Sequence, residues 1–203
     1  NKYSGHKDND RDATKISCHK VKTAVIVKDT IPDEKIEILR DNCNNLRDRA
    51  MIDFLLSTGI RVGELVRLNI DDIDFSEREC VVYGKGDKER KAYFDAKTKI
   101  HLLNYIESRT DNNIALFVSL NKPHSRLTES GVELRLREMG KKLGVEKVHP
   151  HKFRRTMATR AIEKGMPIEQ VQKILGHEQI DTTLRYAMVN QNNVKLSHRK
   201  YIS

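Results

Sequence analysis

The sequence predicts an α+β fold, a mostly helical domain with one small three-stranded antiparallel sheet. Three observations carry this. Apolar residues recur at helical spacing over most of the chain, the mark of helices packing one face on a core. Between Ile70 and Phe94 that spacing gives way to short runs of β-branched and aromatic residues around a glycine-flanked turn. Glycine or proline then punctuates the segment ends, at Gly59, Gly144, Gly165, Pro167 and Gly176.

The elements follow in order. Thr30 is expected to cap a first helix, with Pro32 in its first turn and Asp33 three residues after the cap. Leu46, Ala50, Met51, Phe54 and Leu55 define one inward face of a second helix, which Gly59 ends in a left-handed cap. A short helix over Arg61–Leu68 sets Arg61 and Glu64 three apart, where they can pair. Three strands are expected around Ile73 and Phe75, Val81–Tyr83 and Ala92–Phe94, with Gly84–Asp87 as the turn between the last two. Lys85 stands on that hairpin tip. Ile100, Leu103 and Ile106 mark the inward face of the next helix, and Leu116–Val118 is a short extended piece. Thr128 caps a long helix with Val132, Leu136, Met139 and Leu143 inward, ending at Gly144. A helix from about His151 to Lys164 stops at Gly165. Pro167 opens another with Ile168, Val171 and Ile174 inward, and a last helix begins near Asp181 and carries Tyr186. Residues 1–24 are polar and read as a linker, and residues 25–203 as the folded domain.

The 203 residues carry 38 Lys and Arg against 29 Asp and Glu, a formal net charge of +9. A basic surface suits a polyphosphate partner, because each neutralised phosphate releases condensed counterions. The three cysteines, Cys18, Cys43 and Cys80, are widely spaced and odd in number, which suggests reduced thiols and a cytoplasmic setting rather than a disulfide framework. No apolar run approaches the roughly 20 residues of a membrane span, so no membrane association is expected.

The chemistry gathers in the last third. His149-Pro150-His151-Lys152-Phe153-Arg154-Arg155 opens a helix, so His151 and Arg154 project from one face beside its free N–H groups. Half a metal site is one reading of His149 and His151, but no spaced Cys or further His completes it, and no metal or cofactor is expected. The two helices around Gly165 could instead form a DNA-binding helix-turn-helix. Arg61, Lys85, His151, Arg154, His177 and Tyr186 together supply two guanidinium forks, an ammonium, two imidazoles and a phenol. This set suits in-line attack on a phosphodiester without metal. The arginines would hold the non-bridging oxygens and offset the growing charge, and a lysine or histidine would protonate the leaving oxygen.

These motifs resemble the catalytic domain of the tyrosine recombinase, or phage integrase, family. Thr58-Gly59-Ile60-Arg61-Val62-Gly63-Glu64-Leu65 resembles its first arginine motif, and Gly84-Lys85-Gly86-Asp87-Lys88-Glu89-Arg90 its catalytic-lysine hairpin. His151-Lys152-Phe153-Arg154 resembles its H-x-x-R motif. Leu175-Gly176-His177 and Tyr186 resemble the second histidine and the nucleophile. The sequence departs from the pattern where Arg155 stands in place of a frequent histidine, and where Met157 and Ala158 replace a bulkier apolar pair.

The resemblance implies that Tyr186 attacks a scissile phosphate of double-stranded DNA to give a 3′-phosphotyrosyl link, needing neither ATP nor metal. Arg61, Lys85, His151, Arg154 and His177 would complete the catalytic set. Glu64 would support Arg61, and Lys88, Arg90, Lys152 and Arg155 would bind DNA. It further implies a monomer that forms a homotetramer on DNA, a mobile-element integrase role, and an N-terminal core-binding domain that this sequence lacks. Two rivals stay open: a type IB topoisomerase using much the same groups, and a non-catalytic helix-turn-helix regulator.

Overall fold

The computed structural model describes residues 30–84, 89–177, 183 and 199. The expected α+β architecture is what it contains. Its elements are α1 (Asp33–Asp41), α2 (Leu46–Thr58), α3 (Val62–Arg67), β1 (Ile73–Asp74), β2 (Glu79–Tyr83), β3 (Glu89–Tyr93), α4 (Ala96–Glu107), α5 (Glu129–Lys142), α6 (Pro150–Glu163) and α7 (Ile168–Leu175). The three strands run antiparallel in the order β1-β2-β3, with Ile73 opposite Cys80 and Cys80 opposite Ala92. Among the described residues no helix is long and apolar enough to cross a membrane.

α2 is the central element, packed against α4 and α6. Asn45 caps it by accepting from the Asp48 N–H at 2.8 Å, and Gly59 closes it at φ 61°. Its burial is not confined to one face: Ala50, Met51, Ile52, Asp53, Phe54, Leu55 and Leu56 are all buried, while Leu46 is 48% exposed. Two carboxylates that would mark a solvent face are buried as ion pairs instead. Asp48 meets Arg47 and Arg135, and Asp53 meets Arg40, Arg49 and His101. Burial pushes the Asp48 carboxyl up, but Arg47, Asn45 and Arg135 more than offset this and hold it below the usual carboxylate range. Around α2 the rings of Phe54, Phe94, Phe117 and Tyr105 form one aromatic cluster.

Three sequence expectations are corrected. Thr30 is not the cap of α1. The helix begins after Pro32, and Ile31 ahead of it is buried, its N–H donating to Thr156 Oγ1 on α6 at 2.9 Å. α4 is rotated from the expected phase: Thr98, Leu102 and Tyr105 are buried, whereas Ile100 is 56% exposed. Packing on α2 selects the stripe that holds Tyr105, whose hydroxyl accepts from the Val118 N–H at 3.2 Å. On α7 the deeply buried pair is Val171 and Leu175, with Ile174 half-buried. They join Ala158 in a small second core, flanked by Met157, Ala161, Ile162 and Met166 and separate from the main one.

Candidate active site

The site forms where three helix ends and one strand meet. Arg61 is the residue before α3 and lies just past the left-handed turn at Gly59. Its backbone N–H donates to Glu64 Oε2 at 2.7 Å, and its Nη1 donates to Glu64 Oε1 at 2.9 Å. Glu64 thus satisfies an orphan N–H of α3 and aims a guanidinium at once. Glu64 is buried while the Arg61 side chain is 36% exposed, so a buried carboxylate holds a partly exposed arginine.

Arg154 lies on α6, which starts at Pro150 after an extended His149. It is 4% exposed. Its Nη1 donates to Gly59 O at 2.5 Å and its Nη2 to Leu175 O. Arg61 Nη2 donates to Gly176 O at 3.2 Å, and Arg90 Nη1 to Ile174 O at 2.8 Å. Three arginines from α3's entry, β3 and α6 therefore end on three successive carbonyls at the C-terminus of α7. Those carbonyls are the ones a helix leaves without intrahelical partners, and they carry its negative dipole end. Gly176 closes α7 at φ 63°.

His177 follows this clasp. Its Nδ1 lies 2.9 Å from the Oγ1 of Thr183, a fully buried helical residue, and its carbonyl accepts from Gln172 Nε2 at 3.0 Å. Burial, then the charges of Arg154, Arg61 and Arg90, push its imidazole down to about 4. His177 is a neutral ring at pH 7, set among three cations with one carboxylate between them. Such a cluster can receive an anion, and a neutral imidazole beside it can accept or donate a proton.

The expected residues divide by place. Arg61, Glu64, Arg154 and His177 come together. His151 stands one turn ahead of Arg154 on α6 and is exposed. Its ring lies 6.5 Å from that of His149, edge to face, and no described group of three His, Cys, Asp or Glu residues is placed to hold a metal. Arg90 and Lys152, expected on a DNA-facing surface, are turned inward. Arg90 donates to Glu64 Oε2 at 2.6 Å, and Lys152, 5% exposed, donates to Glu146 O at 3.1 Å. Arg155 is half-buried. Lys85, Lys88 and Tyr186, with the last helix and the linker of residues 1–24, lie outside the described residues. The sequence reading gave Thr183 no role. Its only signal was a hydroxyl three residues ahead of Tyr186.

The mostly helical fold with its three-stranded antiparallel sheet is shared with solved recombinase structures. The profile of the phage integrase family matches residues 30–193, and the chain belongs to that family. Tyrosine recombinase XerC of Staphylococcus aureus is 37% identical over 173 residues, which span 80% of this chain and 57% of the relative. The chain thus spans little more than half the length of that relative. The crystal structure of XerA recombinase superposes with a TM-score of 0.75 at 32% identity, covering 87% of this chain and 64% of that one. A Tn1549 transposon integrase in complex with transposon right end DNA shares the fold, with a TM-score of 0.71 at 21% identity over 85% of this chain and 65% of that one.

Proposed function

We propose that this chain is the catalytic part, residues 25–203, of a site-specific tyrosine recombinase acting on double-stranded DNA. The observation that carries the reading is the convergence of Arg61, Arg154 and His177 on the end of α7, in a chain of this family. The net charge of +9 agrees with a DNA partner.

In this reading the scissile phosphate sits against the Arg61 and Arg154 guanidiniums. Tyr186 Oη attacks phosphorus and the P–O5′ bond breaks, leaving a 3′-phosphotyrosyl ester and a free 5′-hydroxyl. A free phenol has a pKa of about 10, so it needs neighbouring cations and a base to attack near neutrality. The arginines offset the charge that grows on the phosphoryl oxygens. A neutral His177, tied through Nδ1 to Thr183, is a fitting partner for that proton, and Lys85 supplies one to the leaving O5′. A 5′-hydroxyl of a partner strand then reverses the step. The ester bond energy is conserved, so no nucleotide is consumed. Exchange of two strand pairs in turn requires four protomers on two DNA sites, passing through a Holliday junction. Integration of a mobile element is the role proposed for it.

The test is covalent capture. The protein is incubated with a pool of nicked suicide duplexes whose core is randomised, which removes dependence on a known target. A protein–DNA adduct on a denaturing gel is expected from the parent protein. Tyr186→Phe should abolish it while DNA binding persists. No adduct from the parent protein, or an adduct mapped to Tyr83 or Tyr93, would overturn the assignment. Relaxation of supercoiled plasmid without any site preference would favour the topoisomerase instead.

A further inference from the structure

Arg90 comes to the cluster from β3, the second strand of the β2–β3 pair. Strand parity already directs it inward: it shares its face with Ala92, which is fully buried, while Glu89, Lys91 and Tyr93 point out. Its side chain is 12% exposed. Nη2 takes Glu64 Oε2 at 2.6 Å, the oxygen that also caps Arg61's backbone N–H, while Glu64 Oε1 holds the Arg61 guanidinium. Nη1 takes Ile174 O, the first of the three carbonyls ahead of His177. Its Nε is buried with no hydrogen-bond partner among the described residues, so the two Nη contacts are the head group's hydrogen bonds there.

Two further observations show that the fold accommodates this side chain. A Cβ on Gly176 would stand 2.7 Å from both Arg90 Cδ and Nε, so the missing side chain of Gly176 is what admits Arg90 beneath the end of α7. The apolar docking of α7 is small, with Val171 and Leu175 against Ala158 in the second core. Polar contacts at its C-terminus therefore carry much of the definition of where His177 stands.

We infer that Arg90 is a positioning residue for the strand-cleavage step: through Glu64 it fixes Arg61, and through Ile174 O it fixes the end of α7 and hence His177, without touching DNA itself. The inference rests on the strand-exchange reading for what the cluster does, but not for how the cluster is held. It also joins the hairpin to the anion site through a single buried side chain. A lysine at this position keeps the charge and loses the fork, so it can serve Glu64 or Ile174 O but not both.

The test uses the full chain in three arms. On a captured nicked duplex, Arg90→Lys and Arg90→Met are expected to lower the single-turnover cleavage rate at least tenfold, with the DNA dissociation constant within about twofold of the parent. Rates within threefold of the parent in both variants would overturn the proposal. So would tenfold weaker binding with a shallower salt dependence and normal cleavage, because that is the behaviour of a phosphate contact. In the second arm, NMR of DNA-free Arg90→Lys reads the His177 ring and the Arg61 Nε–H. Charge is preserved, so shifted or broadened signals report lost positioning, and unchanged signals overturn it. The third arm needs no variant: in the parent protein the Arg90 Nε–H signal should stay in place when the nicked duplex is added, and a DNA-induced shift comparable to that of Arg61 would refute the buried role. If the parent protein forms no adduct, the strand-exchange reading falls, and the DNA-free NMR still decides whether Arg90 sets His177.

Discussion

Gly176→Ala and Gly144→Ala form a matched pair. Both glycines sit at nearly the same left-handed φ, 63° and 64°. A Cβ in that region costs about 1–2 kcal/mol, and the stiffer unfolded chain returns about 0.4–1 kcal/mol. Strain alone therefore predicts a loss of roughly 1 kcal/mol for each. Their surroundings differ. A Cβ at Gly144 meets nothing within 4 Å, whereas at Gly176 it falls 2.7 Å from Arg90 Cδ and Nε. Arg90 cannot swing clear without releasing Glu64 and Ile174 O. Overpacking of this kind costs about 1–3 kcal/mol more. Gly176→Ala should thus lose about 2–4 kcal/mol and Gly144→Ala about 1 kcal/mol, measured as a shift of the urea midpoint at constant slope. Single-turnover cleavage should fall at least tenfold in Gly176→Ala and stay at the parent level in Gly144→Ala. Equal urea midpoints for the pair, or parent-level cleavage by Gly176→Ala, would refute the reasoning.

Four other outcomes are expected. Asp48 is held below its ordinary value, so its contribution is present at neutral pH and drains as pH falls below about 3.8 toward the folded value. Asp48→Asn should lose about 3 kcal/mol at pH 7, as when one partner of a buried ion pair is removed, and show a flatter acid limb in urea denaturation. The His177 ring should titrate by NMR near 4 rather than 6.5. Between those values the unfolded chain binds the proton that the folded one refuses, so stability falls as pH drops, and His177→Gln should lack that share of the decline between pH 7 and pH 5 thermal scans. Arg61→Lys and Arg154→Lys should each lower single-turnover cleavage by about 10²–10³, since an ammonium cannot replace the fork. Lys85→Ala should be slow on an ordinary substrate and close to normal when the bridging 5′ oxygen is sulfur, because thiolate leaves without a proton. Equal impairment on both substrates would move the acid role to another residue.

Much of the site was legible because its signals are local. The three-residue spacing of Arg61 and Glu64, the glycines closing α2 and α7, and a helix start expected near His151 and found at Pro150 are short-range features. The misreadings arose where partners are distant or are backbone atoms. The burial of Asp48 and Asp53 carries no local signal, because Arg135 and Arg40 arrive from other helices. The carbonyls that fix Arg61, Arg90 and Arg154 carry no residue identity, so no motif could announce them. α4 offers Ile100, Leu103 and Ile106 beside Leu102 and Tyr105, and its phase was decided only by α2 and Phe117. Arg90 was a readable miss: its parity with Ala92 already placed it inside.

The attachment of Ile31 and Asp33 to α6 has a mechanical consequence. Ile31 is bonded to Thr156 Oγ1, which in turn donates to Lys152 O at 2.8 Å, and Asp33 is paired with Arg160 on the same helix. Force applied along the chain at residue 30 therefore loads α6 through these two contacts as well as α1 through the backbone. α6 is the helix that carries His151 and Arg154, so that load falls on the element whose guanidinium grips Leu175 O. Thr156→Val would leave the residue's volume in place and remove one of the two contacts, so that the Asp33–Arg160 pair alone would pass a tug on residue 30 to α6.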